Sequence, residues 1–204
     1  MKHISIGDPK IGIRVYENAI KTSQNTIDII EKSIQSRIHA SIKWSPALVG
    51  YSQQMVDYRN CWDCKLDAKT VSAMGDECSE FKNMYNEISM SIGECIEDYS
   101  QQYSLGLQYM EAINFVKYGV GEFFKAHSDH GFSYICTVSS IAYFNENFEG
   151  GELYFNHIDE TIKPKEGSIV VFPSTFIYMH ASLPVTSGTK YSAVTMFDYN
   201  DKFH

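Results

Sequence analysis

From Cys78 to Tyr103, apolar residues recur at steps of three and four, the spacing of one face of an α-helix. This stripe consists of Phe81, Met84, Tyr85, Ile88, Ile92, Cys95, Ile96 and Tyr99. The pattern predicts an amphipathic helix that packs its apolar face against a sheet in the protein core.

A less regular pattern of the same kind runs from about Val15 to Ile34 and predicts an earlier helix. Between the two, residues 44–70 follow neither the helical nor the strand period and mix aromatic with polar side chains. Such segments are typical of loops that carry function on a rigid scaffold. The first hundred residues are therefore predicted to be mainly helical, with one long loop.

After Leu105 the chain changes to short β-rich runs separated by turn sequences. The runs read AINFVKY, ICTVSSIAYF, GELYF, SIVVF and KYSAVTMF, and the turns read NENFEGG, KPKEG and PVTSG. This order predicts an α+β fold with an antiparallel barrel or jelly roll as its β half. A chain of 204 residues fits one domain, with helical support and a substrate loop over about 1–105 and a β core over about 106–204.

Charge and composition exclude some classes of function. A formal net charge of −8 argues against general nucleic-acid binding, which needs a basic face. The first residues lack the apolar core of a signal peptide, and no run reaches the roughly 18 apolar residues of a membrane span. Five cysteines, an odd number, do not suit a closed disulfide framework. We therefore expect a cytoplasmic protein without nucleic-acid or membrane partners.

The stretch KAHSDHG, residues 125–131, offers candidate metal ligands. In a strand, His127 and Asp129 point to the same face, because side chains alternate. His180, which follows a later strand, is a candidate third ligand. Two histidines and one carboxylate form the facial triad of non-haem Fe(II), with zinc as the chemical competitor. His130 should point away from this site and either form hydrogen bonds or face solvent.

Lys190 adds a cation beside that triad. If the turn PVTSG folds a hairpin centred near Val185, His180 and Lys190 lie opposite each other, about 5 Å apart. A buried cation next to an open metal site needs an anionic partner. 2-Oxoglutarate would chelate the metal at one end and pair its distal carboxylate with Lys190 at the other. Ser192, on the same face, could add a hydroxyl.

These segments together resemble a known family. They are YGVGEFFKAHSD with Tyr118, Gly121, Phe124, His127 and Asp129; EGGELYF with Gly150 and Gly151; GSIVVFPS followed by His180; and PVTSGTKYS with Lys190. Over about residues 110–199 the chain is similar to the Fe(II)/2-oxoglutarate-dependent dioxygenases, and within them to the prolyl 4-hydroxylases. The HxD pair alone is a weak signal, but its combination with a distal histidine and a basic residue ten positions later is specific.

The resemblance implies a double-stranded β-helix buttressed by N-terminal helices. It implies Fe(II) ligands at His127, Asp129 and His180, with Lys190 holding the distal carboxylate of 2-oxoglutarate. Tyr118 and Tyr143 match tyrosines that help to hold this co-substrate. The implied reaction uses O2, yields succinate and CO2, and hydroxylates a C–H bond of a proline in a peptide, with ascorbate as a reductant.

Some positions depart from the family pattern. Met196 stands where collagen-type and oxygen-sensing prolyl hydroxylases carry a substrate-contacting tryptophan, and Leu153 stands where some members have threonine. The aromatic loop over 44–62 could replace that tryptophan, with Arg59 and Trp62 as candidate substrate contacts. The pair Cys61 and Cys64 in CWDC lacks further ligands for a zinc site, and we expect ordinary buried or loop cysteines.

Three alternatives stay open at this point. The first is a 2-oxoglutarate oxygenase that acts on a non-prolyl side chain or a small molecule. The second is a non-catalytic double-stranded β-helix that binds metal and a 2-oxoacid. The third, a cupin-like metalloenzyme without 2-oxoglutarate, has no need of a cation ten residues beyond His180.

Overall fold

A computed structural model describes residues 3–21, 23–50, 53–131 and 134–202. The helices are α1 (Ser23–Gln35), α2 (Ala68–Ser72) and α3 (Ser79–Tyr103), and 3-10 turns lie at Pro9–Ile11, Asp76–Cys78 and Phe176–Tyr178. The strands before α3 are β1 (Ile4–Ile6), β2 (Ile13–Tyr16), β3 (Ser45–Pro46), β4 (Arg59–Asn60) and β5 (Trp62–Leu66). Those after it are β6 (Tyr109–Met110), β7 (Ile113–Tyr118), β8 (Phe123–His127), β9 (Val138–Tyr143), β10 (Glu149–Gly150), β11 (Leu153–Phe155), β12 (Glu160–Ile162), β13 (Ile169–Pro173), β14 (His180–Ser182), β15 (Val185–Ser187) and β16 (Lys190–Asp198).

Two antiparallel sheets form the core of the fold. The major sheet has the strand order β1-β2-β13-β9-β16-β7-β5-β3, with β6 also paired to β16. The minor sheet has the order β12-β11-β14-β8-β4, and β10 pairs with β15. Apolar residues of both sheets, among them Tyr143, Phe155 and Phe172, form one buried cluster between them. This is the predicted α+β jelly roll, a double-stranded β-helix.

The helices cover the outer face of the major sheet. In α3 the eight residues of the predicted apolar stripe are all buried, so this helix and its packing face are confirmed. They share one core cluster with Ile30 of α1 and with outward-facing strand residues such as Phe115 and Val171. Burial of this stripe, rather than helix propensity, stabilises a helix of this kind. In the described part of the chain, none of the helices combines the length and apolarity that a bilayer crossing requires.

The helix predicted from about Val15 is wrong at its beginning. Ile13–Tyr16 is β2, all four residues of which are buried, and it pairs with β1 on one side and β13 on the other. The helix begins only at Ser23. Val15 and Tyr16 therefore belong to a strand. Periodicity over so short a run does not distinguish a strand from a helix. The 44–70 segment likewise contains β3, β4, β5 and α2, so the helical half is in fact mixed.

The predicted hairpin between His180 and Lys190 is also wrong. His180 begins β14 of the minor sheet, whereas Lys190 begins β16 of the major sheet. The intervening strand β15 pairs instead with β10, where Gly150 lies opposite Val185. Gly150 has φ +73°, and a Cβ there would lie 2.3 Å from the Pro184 carbonyl oxygen. The double glycine thus permits this close crossing, and the two sheets face each other with His180 and Lys190 lining one cavity.

Candidate metal centre and co-substrate pocket

The three predicted metal ligands converge at one end of the cavity. His127, the last residue of β8, is the direct cross-strand partner of His180, the first residue of β14. Asp129 lies two residues beyond the end of β8 rather than within it, yet its carboxylate oxygens are 3.5 Å from His127 Nε2 and 3.8 Å from His180 Nε2. Among the described residues, this trio is the group of His, Cys, Asp and Glu side chains that could hold a metal ion.

Hydrogen bonds orient each ligand toward this point. Nδ1 of His127 lies 2.8 Å from the carbonyl oxygen of Lys125, and Nδ1 of His180 lies 3.0 Å from that of Tyr178. Because a carbonyl oxygen can only accept, each Nδ1 donates and each Nε2 keeps its lone pair for a metal. The Ser139 hydroxyl donates to Asp129 Oδ2 at 2.6 Å and holds the carboxylate.

The protonation states also suit a cation. Burial lowers the pKa of His180 to about 4, so its imidazole is neutral at physiological pH. Burial alone would raise the pKa of Asp129, but the adjacent His180 and His127 outweigh it and hold that pKa well below its usual range. Neutral imidazoles and an ionised carboxylate are the forms that bind metal. The residues present therefore fit Fe(II) in both donor type and charge.

A β-bulge places an aromatic ring against one ligand. His127 pairs with His180 and Phe124 pairs with Ser182, so three steps along β8 face two along β14. In a regular strand, Phe124 and His127 would point to opposite faces, but the extra residue turns both inward. Their rings stack with centroids 3.6 Å apart.

Lys190 lies deeper in the same cavity, which has a volume of about 470 Å³. The side chain is 2% exposed, and its Nζ donates to the Gly151 carbonyl at 2.8 Å and to Ser182 Oγ at 2.6 Å. Burial lowers its pKa to about 7, against opposing effects of Cys61 and Glu152. No carboxylate of the described residues lies within ion-pair distance of it. A desolvated ammonium of this kind favours an anionic ligand.

Side chains that carry hydroxyl groups surround this ammonium. The rings of Tyr118 and Tyr143 lie 4.6 and 5.8 Å from Nζ, and burial raises the pKa of both phenols, so they remain neutral donors. Ser192 is buried and lines the cavity, as its position two residues after Lys190 predicts. Ser182, which sequence reasoning missed, is the serine that contacts Lys190 directly. Its signal was its place two residues after His180, on the inward face of the same strand.

Comparison with known proteins agrees with this geometry. Residues 113–198, which include the triad and Lys190, match the family model described as the 2OG-Fe(II) oxygenase superfamily. Over this core the chain is similar to that superfamily. The family and the triad together imply Fe(II) and 2-oxoglutarate as its cofactor and co-substrate.

Individual relatives are distant. The chain is 26% identical over 145 residues to a protein of Acanthamoeba polyphaga mimivirus named a putative prolyl 4-hydroxylase. The match covers 57% of this chain and spans 59% of that relative's length. The fold of this chain is similar to a Pseudomonas putida prolyl-4-hydroxylase, with TM-score 0.67, 18% identity and coverage of 93% of this chain and 94% of that one. It is also similar to a Trichoplax adhaerens prolyl hydroxylase solved with a hypoxia inducible factor peptide, with TM-score 0.70, 16% identity and coverage of 93% and 84%.

The candidate substrate residues of this protein lie in different places. Arg59 lines the cavity, but its guanidinium bonds to the Leu48 carbonyl at 2.7 Å and to Asp63 at 3.4 Å, and it lies over the Phe124 ring. Met196 also lines the cavity. Trp62 does not: its indole is partly exposed and donates to Glu122 at 3.1 Å.

The remaining polar residues near the site are structural. His130 Nδ1 donates to the Cys136 carbonyl at 2.6 Å, so the predicted hydrogen-bonding role of His130 is confirmed. Cys61 and Cys64 are buried free thiols outside the metal cluster, which confirms the ordinary interpretation of CWDC. Burial raises the pKa of both, to about 11 for Cys64.

Proposed function

We propose that this protein is a Fe(II)- and 2-oxoglutarate-dependent oxygenase that hydroxylates prolyl residues in a peptide or protein, with succinate and CO2 as co-products. The single observation that carries the proposal is Lys190. It is a buried cation without an ion-pair partner among the described residues, in the same cavity as the His127/Asp129/His180 triad. One small dianion with a chelating end and a distal carboxylate suits both groups.

The residues of the chain have separable tasks in this reaction. His127, Asp129 and His180 would hold Fe(II), which supplies O2 activation and the oxidation of 2-oxoglutarate when bound. Lys190, with the Ser182 hydroxyl and the Tyr118 and Tyr143 side chains beside it, would orient the co-substrate. The apolar wall formed by Val116, Ile141, Leu153 and Val194 excludes water from the space between these two ends.

The choice of a prolyl substrate is supported by the relatives. One relative is named a putative prolyl 4-hydroxylase. Another, a prolyl hydroxylase of similar fold, was solved in complex with a peptide. A large cavity with partly exposed apolar residues at its edge, such as Leu48, suits a chain segment better than an isolated small metabolite. O2 is the co-substrate, and ascorbate is the reductant expected to keep the iron ferrous.

Anaerobic titration tests the co-substrate assignment directly. Adding 2-oxoglutarate to the Fe(II)-loaded protein should produce the visible charge-transfer band that chelation implies, and admitting air should release succinate. If neither band nor succinate is seen, the oxygenase proposal is wrong. A protein that gives the band but never succinate, with or without peptides, is a non-catalytic binding module.

Proline-containing peptide arrays test the substrate. A mass gain of one oxygen that depends on 2-oxoglutarate and maps to proline supports prolyl hydroxylation. A mass gain on another residue, or on a small molecule only, would keep the oxygenase chemistry and replace the substrate.

A further inference from the structure

The cavity continues beyond the metal site along the inner face of the major sheet. Successive inward residues of β16 are Lys190, Ser192, Val194 and Met196, and Met196 lies opposite Ser139, whose hydroxyl holds Asp129. Asn114 of β7 lies opposite Val194, two strands away from β9. This part of the cavity wall, on the side of the triad away from Lys190, is lined by Lys65, Glu111, Asn114, Tyr134 and Met196. We call it the distal lobe.

The charged groups of the distal lobe are already paired. Lys65 Nζ lies 2.6 Å from Glu111 Oε1, and the neighbouring Arg59 and Asp63 form a second pair at 3.4 Å. Two cations thus balance two carboxylates. A further charge bound here would have to break one of these pairs, so the lobe favours a neutral ligand group.

Asn114 supplies an unused acceptor in this neutral lobe. Its side-chain amide lies beside the Asp63 carboxylate, where it lowers the pKa that burial raises. A carboxylate can only accept a hydrogen bond, so the amide NH2 faces Asp63. The Oδ1 atom therefore points the other way, and among the described residues it has no hydrogen-bond partner although it is buried. Lys65 lies directly opposite Asn114 on β5, and its side chain is 53% exposed and paired with Glu111.

We propose that Asn114 positions the peptide substrate by accepting a hydrogen bond from one of its backbone amide N–H groups. This inference rests on the proposed oxygenase function and assigns part of the substrate to the distal lobe. A secondary amide is neutral, as the paired charges require, and carries the donor that Asn114 Oδ1 lacks. Proline itself has no N–H, so the donor belongs to a flanking residue.

Strand spacing indicates how far that residue lies from the oxidised one. Asn114 lies on β7, and β9 carries Ser139, which holds Asp129 of the triad. These two strands are two strand spacings apart, about 10 Å. An extended peptide advances about 3.3–3.6 Å per residue. The amide that reaches Asn114 therefore lies within about three residues of the hydroxylated position.

A set of backbone-modified peptides tests this contact. The parent is a blocked peptide with one central proline and three alanines on each side. In each analogue one N–H of an alanine is replaced by an ester oxygen, which removes a single donor. Binding is measured by calorimetry to the protein loaded anaerobically with Fe(II) and 2-oxoglutarate, and KM is measured in air by succinate release.

For the natural protein, one ester position should weaken binding and raise KM about tenfold, the effect of one hydrogen bond lost from a buried site. With Asn114→Ala the parent should bind about tenfold more weakly, and the same ester should have no further effect. Asn86→Ala, a matched change on the exposed face of α3, should keep the full difference between ester and amide. In both variants the affinity for 2-oxoglutarate should be unchanged.

Two results would overturn the assignment: equal behaviour of all esters and the parent, or an ester penalty that persists in Asn114→Ala. Failure of every peptide to bind would also overturn it, because the ligand class would then be wrong. Each of these outcomes leaves the charge-transfer band with 2-oxoglutarate intact. A missing band would instead indicate failure of the oxygenase proposal itself.

Discussion

The ring of Phe124 lies flat against the imidazole of His127, with ring centroids 3.6 Å apart and planes 17° from parallel. The bond from His127 Nδ1 to the Lys125 carbonyl fixes the rotation of the same imidazole. A ring held by a stacking partner and by a hydrogen bond loses little freedom when it binds a metal. Phe124 therefore contributes to the metal site without being a ligand.

Phe124→Leu should weaken Fe(II) binding by about tenfold, the lower end of the effect of residues that orient metal ligands. The physical reason is that leucine fills the space but lacks a flat face to stack on His127. Anaerobic metal titration, with Mn(II) as a redox-stable check, measures the change. Phe81→Leu, a comparable change in the α3 core, should lower thermal stability but leave metal affinity unchanged. Equal metal affinity in both variants would contradict this role.

Replacement of Lys190 should affect binding and stability in opposite directions. Lys190→Met should lower affinity for 2-oxoglutarate by about thirtyfold or more, because a buried charge loses its partner at a cost of about 2–5 kcal/mol. Without co-substrate, the same variant should be more stable at pH 6, by about 1 kcal/mol or roughly 2–4 °C in Tm. Calorimetric titration and thermal melts measure the two effects.

The stability gain should depend on pH. Burial places the folded-state pKa of Lys190 at about 7, below its ordinary value, so the unfolded chain binds more protons between these two values. The cost of the buried charge is thus fully present below pH 7 and is relieved as the pH rises toward 10. Lys190→Met should therefore melt higher than the natural protein at pH 6 and similarly at pH 10. An unchanged affinity for 2-oxoglutarate would show that Lys190 does not hold the co-substrate.

Binding of 2-oxoglutarate should take up a proton at alkaline pH. Above pH 7 the free protein carries mostly neutral Lys190, which must be protonated to pair with a carboxylate. The apparent Kd should therefore rise up to about tenfold per pH unit above 7 and be nearly flat from pH 6 to 7. Calorimetry in two buffers with different ionisation enthalpies counts the protons. A Kd that is constant from pH 6 to 9 would contradict the assignment, and Lys190→Met should abolish the uptake.

Ser182 should matter more than Ser192 for co-substrate affinity. Its hydroxyl accepts the 2.6 Å hydrogen bond from Lys190 Nζ and so fixes the ammonium. Ser182→Ala should weaken 2-oxoglutarate binding about tenfold, because it removes the hydroxyl that bonds to Lys190 Nζ. Ser192→Ala should weaken binding less. The two variants are matched controls for each other in the same titration. The reverse order would show that Ser192 is the principal hydroxyl.

The sequence predicts those features whose signal is local. The α3 stripe, from Phe81 to Tyr99, spans about five turns, so its period is unambiguous. The triad spacing with Lys190 identifies the chemistry. The strand β2 was missed because three apolar residues in a run of four do not distinguish the two periods. Its placement depends on pairing with β13, about 150 residues later in the chain.

The shared cavity of His180 and Lys190 shows a different limit. Both residues do line one cavity, but the hairpin that predicted it does not exist. They meet because two sheets face each other, a tertiary relationship that turn sequences do not encode. The stacking of Phe124 on His127 was missed for a related reason, since strict alternation along β8 holds only without a bulge.

The pairing of β2 with β13 has a consequence for how the chain can be divided. Residues 113–198 contain the whole metal site, but β13 receives one of its two neighbouring strands from Ile13–Tyr16. A fragment that begins near residue 106 would expose the backbone edge of an apolar strand, the kind of edge through which chains aggregate. The smallest piece of this protein suited to expression therefore includes the strands that come first, although they contribute no ligand to the iron.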